Sequence, residues 1–197
     1  MSVIAMCFAR LKLFASLLAC VFISACDDTA KNSFDKNLKV VIIRHGEKPA
    51  DHSDSGDNLS CQGQNRALQL PAVLIKKMGK PDYTYVPALM LDKYTAHSRM
   101  FQTVTPFAVK YNLSINSKYQ ADDFAGAAKS VLKKNGTVLM VWSHSEMPDL
   151  AGALGVNHPP KYNGADFDSM WIVTYASGKA ELTVEQEGLS PSETCGF

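Results

Sequence analysis

The sequence predicts an α/β fold: a three-layer sandwich built on a mainly parallel central sheet. Three observations carry that reading. Two short apolar runs rich in β-branched residues, Leu38–Ile43 and Val138–Trp142, read as strands buried on both faces. Amphipathic stretches of helical period lie between them. A pair of strand-like runs near the C-terminus reads as a closing hairpin. Strands alternating with helices give a sheet covered on both sides. The chain has 197 residues, 46% of them hydrophobic, which suits one globular domain with a sizeable core. Its charge is nearly balanced, with 20 basic and 19 acidic residues and a net charge of +1. That balance argues against nucleic-acid binding through a basic field.

The first segment is not part of the fold. Arg10 and Lys12 precede an apolar stretch from Leu13 to Ile23. Such a stretch falls short of the roughly 20 apolar residues that a permanent membrane span needs. A basic start, an apolar centre and small residues at the end make residues 1–25 a secretory signal. The ending Ile23-Ser24-Ala25-Cys26 resembles the lipobox of bacterial lipoproteins, whose cysteine is lipidated and becomes the first residue. Asp27, directly after Cys26, resembles the signal for retention at the inner membrane. The expectation is therefore a protein of the bacterial cell envelope, lipid-anchored and facing the periplasm. Residues 26–37 are polar and unpatterned, as a tether would be, and 38–197 form the folded domain. Once the signal is removed and Cys26 is lipidated, Cys61 and Cys195 are the remaining thiols. In a compartment that permits disulfides they are expected to pair; the alternative is two unpaired thiols.

The elements follow in order. Leu38–Ile43 is the first buried strand. Ser60 caps a helix from Cys61 to Met78, with Ala67, Leu70, Leu74 and Met78 on one face and a kink expected at Pro71. Tyr83–Val86 is a short strand. His97–Lys110 is a second helix, with Phe101, Val104 and Ala108 inward. Leu113–Ile115 is an edge strand. Asp122 caps a third helix to Lys134, stopped by Asn135-Gly136. Thr137–Trp142 is the second buried strand. A short helix from Glu146 tolerates Pro148 in its first turn. Met170–Tyr175 and Ala180–Glu187, joined by Ser177-Gly178-Lys179, form the hairpin.

Each buried strand delivers a histidine where its apolar run stops: Arg44-His45-Gly46-Glu47 after the first, Ser143-His144 after the second. Ligands in such sheets collect outside the carboxyl ends of the strands. Two histidines there, one beside an arginine, point to an anion site. Arg44-His45-Gly46-Glu47 resembles the signature of the histidine phosphatase superfamily, which includes acid phosphatases, phosphoglycerate mutases and phosphohistidine phosphatases. Further segments match in family order. Leu59-Ser60 with Gly63, Arg66, Ala67 and Leu70 resembles the first helix. Ser98-Arg99 with Gln102-Thr103 and Pro106 resembles the segment that supplies another arginine. His144 with Pro148, Leu150 and Leu154-Gly155 resembles the second-histidine segment. The match runs from Val40 to Val173, and the fold it implies is phosphoglycerate mutase-like with a small cap or none.

The resemblance implies a chemistry. His45 would attack phosphorus and carry the phosphoryl group as phosphohistidine, since neutral imidazole is both a nucleophile and a leaving group. Arg44 and Arg99 would clamp the phosphate oxygens in bidentate fashion. His144 would complete the phosphate pocket. Glu146, two residues on, is the favoured proton donor for the leaving oxygen, ahead of Glu47, Asp122 and Asp123. The positive side chains take the place of a metal, so no cofactor is expected. Arg66 is either a surface ion pair or a ligand contact, and Glu47 either supports the site or serves structure. The expected activity is hydrolysis of small phosphomonoesters by a monomer. The alternatives are a protein phosphohistidine phosphatase or a non-catalytic lipoprotein that binds phosphate or phospho-sugars.

Departures from the family pattern bear on that expectation. The family usually has glycine before the second histidine, where this chain has Ser143, and a neutral polar group where it has Glu146. Neither the acid-bearing insertion of the mutase branch nor the large cap of the phytase branch has a counterpart, so mutase activity is not expected. Asp51, Ser53, Ser55 and Gly56 imitate a calcium loop, but Gln62 stands where the closing glutamate belongs. His52, His97 and His158 show no metal-ligand spacing. Substrate specificity is assigned to the loops Asp51–Asp57 and Lys161–Asp168.

Overall fold

Strand β1 (Lys39–Arg44) is buried on both faces because its residues alternate between two apolar layers. Val40 and Ile42 point into one cluster, Val41 and Ile43 into the other. The computed structural model describes residues 37–50, 57–91, 95–176 and 178–197. The predicted signal, Cys26, the tether before Asn37, the loop 51–56 and Ser177 lie outside the described residues. Among the described residues no helix is long and apolar enough to cross a membrane.

The chain continues through α1 (Cys61–Met78), β2 (Tyr83–Tyr85), the two-residue strands β3 (Met90–Leu91) and β4 (Thr95–Ala96), and α2 (Ser98–Tyr111). It then forms β5 (Ile115–Asn116), α3 (Phe124–Val131), β6 (Thr137–Trp142), α4 (Met147–Ala153), β7 (Ser169–Thr174) and β8 (Glu181–Gln186). Six strands make one sheet in the order β5-β2-β6-β1-β7-β8. The first four are mutually parallel; β7 runs antiparallel to β1, and β8 antiparallel to β7. Leu70 and Leu74 of α1 and Met100, Val104 and Phe107 of α2 cover one face. Ala127 and Val131 of α3 and Met147 and Leu150 of α4 cover the other. The mainly parallel three-layer sandwich follows, with β1 and β6 at its centre.

Boundaries shift where local chemistry decides them. Asp123, not Asp122, caps α3, its Oδ1 accepting from Gly126 N at 2.9 Å. That helix stops at Val131 rather than Lys134, and Gly136 at φ 86° turns the chain into β6. His97, expected within α2, is its N-cap in the left-handed region at φ 65°. The edge strand is Ile115–Asn116, one residue beyond Leu113–Ile115 as expected. The β3–β4 hairpin was not anticipated; strands of two residues leave no periodicity to read. Cys61 and Cys195 form the expected disulfide, with Cα atoms 4.9 Å apart at a sequence separation of 134.

Candidate active site

Register places the two histidines. Arg44 pairs with Trp142 across parallel β1 and β6, and His45 extends the ladder by donating its N–H to Trp142 O at 3.0 Å. His45 and His144 therefore leave the sheet at the same edge. His45 is buried, and its Nδ1 lies 2.7 Å from the carbonyl of Gly46. A carbonyl only accepts, so Nδ1 carries the proton and Nε2 keeps its lone pair. Burial drives the His45 pKa down to about 4; the Gly46 carbonyl opposes this, and the charges of Arg44 and Arg99 reinforce it. The ring is thus neutral and nucleophilic across the physiological range.

The turn after His45 is held from two sides. Gly46 N donates to Thr103 Oγ1 at 2.9 Å, and that hydroxyl donates to Arg99 O at 2.7 Å. The turn after His45 and the first turn of α2 are thereby linked through one buried threonine. On the other side, Ser60 N donates to Glu47 O at 2.9 Å while Ser60 Oγ caps α1 by accepting from Gly63 N. Backbones approach closely here. A Cβ on Gly46 would lie 2.8 Å from Gly63 O, and one on Gly63 would lie 2.3 Å from Glu47 O. Both glycines are required by that contact.

Three cationic groups surround the turn. Arg44 is buried; one terminal nitrogen donates to the carbonyls of Gly164 (2.8 Å) and Asp166 (2.7 Å), and its Cζ lies 3.5 Å from the Phe167 ring centroid. Its Nε is buried without a hydrogen-bond partner among the described residues, which leaves a donor for an anion. The loop that supplies these carbonyls is fixed by Asp166, whose carboxylate accepts from Asp168 N, Ser169 N and Ser169 Oγ. Burial alone would raise the Asp166 pKa; those bonds and Arg44 bring it below the usual carboxylate value. Arg99, in the first turn of α2, donates from Nε to Asn58 O at 3.0 Å and pairs with Asp57 at 2.6 Å. Lys48 is exposed and lines the same cavity.

His144 stands half-buried across that cavity, its Nδ1 buried and without a partner among the described residues. Partial desolvation, with help from Arg44 and Lys48, lowers its pKa, so it is neutral at pH 7. The cavity encloses about 310 Å³ and is lined by Arg44, Glu47, Lys48, Pro49, Ala50, Gln62, His144, Gly164 and Phe167. Glu146 is the N-cap residue of α4, half-buried, with Oε2 buried and unpartnered among the described residues. Asp122 and Asp123 are exposed, and Asp123 is engaged in capping. Among the described residues no group of three or more metal-ligating side chains comes together.

Arg66 departs from both expectations for it, for it is neither a surface pair nor poised for a ligand. Its guanidinium is buried and grips both carboxylate oxygens of Glu47 (2.8–3.1 Å), Glu187 at 2.6 Å and Asp168 at 3.3 Å. Burial lowers its pKa, but the bonds to Glu47 and Glu187 outweigh that and raise it. Glu47 is consequently a support, its carboxylate turned to Arg66. Phe167 and Asn58 are site residues that the sequence did not single out, while Thr103 and Asp57 were named only as part of a matched segment and as a loop boundary. Phe167 falls inside the loop assigned to specificity, and Thr103 inside the Arg99 segment; nothing local marks their contacts.

No family model matches the sequence, and no curated protein matches it significantly. Solved structures match by fold. The protein histidine phosphatase SixA, complexed with tungstate, superposes with a TM-score of 0.56 at 18% identity, covering 76% of this chain and 97% of its own. A mycobacterial glucosyl-3-phosphoglycerate phosphatase with bound inorganic phosphate gives 0.53 at 13% identity, covering 77% and 99%. The alpha-ribazole phosphatase of Shigella flexneri gives 0.51 at 13%, covering 81% and 98%. The chain shares the fold of these phosphatases.

Proposed function

We propose that this protein is a histidine phosphatase that hydrolyses phosphomonoesters through a phosphohistidine on His45, without a metal. The observation that carries the reading is the state of His45. It is buried at the carboxyl end of β1, locked as the Nδ1–H tautomer and neutral, with Arg44 and Arg99 close enough to depress its pKa. Two buried, unpartnered nitrogens nearby, Arg44 Nε and His144 Nδ1, are suited to phosphate oxygens. That the fold's known bearers include phosphatases supports the same reading.

In the first step the Nε2 lone pair forms the N–P bond in line as the ester P–O bond breaks. Arg44, Arg99 and His144 hold the equatorial oxygens, which lowers the barrier by fixing both position and charge. Glu146 is assigned the transfer of a proton to the departing alkoxide. In the second step water attacks phosphorus, its proton passes to the Glu146 carboxylate, and the N–P bond breaks to release phosphate. Incubation with substrate followed by an acid-free quench is expected to trap an acid-labile, base-stable phosphate on His45. His45→Ala is expected to abolish both adduct and turnover; full activity in that variant would remove the mechanism. Preferential dephosphorylation of a phosphohistidine peptide over small esters would shift the reading to a protein phosphohistidine phosphatase.

The lipobox-like ending at Cys26 supports a further part of the proposal: a lipid-anchored envelope protein facing the periplasm, retained at the inner membrane. Cys26→Ala is expected to release the protein from the membrane fraction or to stall its processing. Unchanged membrane association with normal maturation would refute the anchor.

A further inference from the structure

His45 N makes the last ladder bond of β1, to Trp142 O. The N–H of Gly46, next in the chain and buried, goes to a side chain instead, Thr103 Oγ1 at 2.9 Å. A buried N–H must find an acceptor, and here it comes from α2, 57 positions along the chain. Thr103 is fully buried. Its hydroxyl has a single proton, which goes to Arg99 O at 2.7 Å, one helical turn back. The lone pairs are therefore the part that meets Gly46. Thr105 makes the same backward bond, to Phe101 O, but stands exposed. The habit is common to helical threonines; at position 103 it serves the turn after His45.

Gly46 matters because its carbonyl lies 2.7 Å from His45 Nδ1, the bond that leaves the Nε2 lone pair free. For a carbonyl to reach back to the side chain of the residue before it, the peptide planes on both sides of Gly46 must be held. Glycine holds neither by itself, having the widest range of backbone angles, and Gly63 O excludes a Cβ here. Beyond Gly46, Glu47 is fixed by Ser60 and Arg66. The plane before Gly46 rests on Thr103. Resting on the phosphatase reading above, we propose that Thr103 is a positioning residue for phosphoryl transfer. By holding the Gly46 N–H it keeps the Gly46 carbonyl on Nδ1, and so keeps Nε2 unprotonated for attack on phosphorus. Thr103 does not line the cavity and acts through Gly46. Without its hydroxyl the buried N–H loses its acceptor, Gly46 turns to recover one, and the imidazole proton is no longer confined to Nδ1.

The test uses the mature protein. Thr103→Val keeps the shape of the side chain and removes the hydroxyl, Thr103→Ser keeps the hydroxyl, and Thr103→Ala replaces the valine variant if that one does not fold. Nitrogen NMR of the isotopically labelled His45 ring, near neutral pH, reads the tautomer. The wild type and Thr103→Ser are expected to show the Nδ1–H form, and Thr103→Val a mixture with Nε2–H. The substrate is para-nitrophenyl phosphate, whose leaving group needs no proton donor. Phosphohistidine formation in a single turnover is expected to slow on the order of 10²-fold in Thr103→Val, the scale for a misplaced reacting group. Thr103→Ser should restore most of the rate. Inhibition by inorganic phosphate should stay nearly unchanged, because charged side chains hold the anion and the substitution leaves them in place. An Nε2–H ring in the wild type, or a Thr103→Val ring that stays wholly Nδ1–H, would overturn the inference. Equal losses in Thr103→Val and Thr103→Ser would overturn it too, since packing alone would then explain them. A shifted tautomer with undiminished turnover would overturn the phosphatase reading and leave the hold on Gly46 standing. Absence of turnover in the wild type would overturn that reading as well, with the tautomer comparison still deciding the hold.

Discussion

At the scale of single residues, the site works by keeping a histidine uncharged among cations. His45 lies under 5% exposed at the end of β1, where burial is the largest influence on its pKa and Arg44 and Arg99 add to it. The charged imidazolium is disfavoured, so the ring stays neutral well below the usual histidine range. NMR titration of the His45 ring is expected to show protonation only near pH 4, against 6.5 for an ordinary histidine. Arg99→Gln removes one of the two opposing charges. It should move that titration upward and lower kcat/KM by about 10²–10³, the usual scale for losing one transition-state contact. A His45 titration at 6.5 in the wild-type protein would show that the ring is solvated and the site open. Glu146, at the start of α4, keeps one carboxyl oxygen buried and unpartnered among the described residues.

At the scale of elements, the parts that sequence made legible are those set by neighbours along the chain. The β-branched runs of β1 and β6 predict their own burial, and the residues that end them, His45 and His144, are therefore placed on one edge. Ser60 as the cap of α1 is equally local, because a hydroxyl three residues before Gly63 can reach its N–H. What stayed illegible depends on contacts far apart in sequence. Arg66 meets Glu187 across 121 residues, and Arg44 meets the Gly164 and Asp166 carbonyls across 120 and 122. No pattern near Arg66 distinguishes a surface arginine from the centre of a buried ion cluster. The one-residue error at the α3 cap has a different cause, since Asp122 and Asp123 are both competent caps and only the backbone decides. The junction of α1 with the turn after His45 gives a test at this scale. Gly63→Ala would put a methyl group 2.3 Å from Glu47 O, a backbone atom that is itself held by Ser60. The turn must shift, at a cost of about 1–3 kcal/mol in stability. Because the same turn carries His45, the variant is expected to lose activity under conditions where it remains folded. Unchanged activity with unchanged Tm would mean that the turn and α1 are not rigidly coupled.

At the scale of the whole molecule, one buried cluster joins elements that the sheet alone leaves separate. Arg66 of α1 holds Glu47 after β1, Asp168 before β7 and Glu187 after β8. Asp168 in turn accepts from the N–H groups of Gly188 and Leu189, which directs the C-terminal segment toward the disulfide at Cys195. Three carboxylates around one guanidinium are more negative charge than a buried site sustains, and Glu187 is the most buried of them. Burial raises its pKa to about 8 even though Arg66 opposes the rise. The folded protein thus keeps a proton that the unfolded chain releases near its ordinary value of 4.5. Stability from this group is full below about pH 4.5 and declines as pH rises to about 8. His45 has the opposite sign: its depressed pKa withdraws stability as pH falls from 6.5 toward 4. Above pH 6.5 His45 is neutral in both states, so between 6.5 and 8 the Glu187 slope is no longer offset by it. Over that window the wild-type Tm is expected to fall with rising pH. Glu187→Gln reproduces the protonated form, retains an oxygen that can accept from Arg66, and cannot ionise. Its Tm should be nearly flat over the same window and exceed that of the wild type at pH 8.5. Parallel Tm profiles for the two proteins would show that Glu187 is ionised throughout and that Arg66 alone balances its charge.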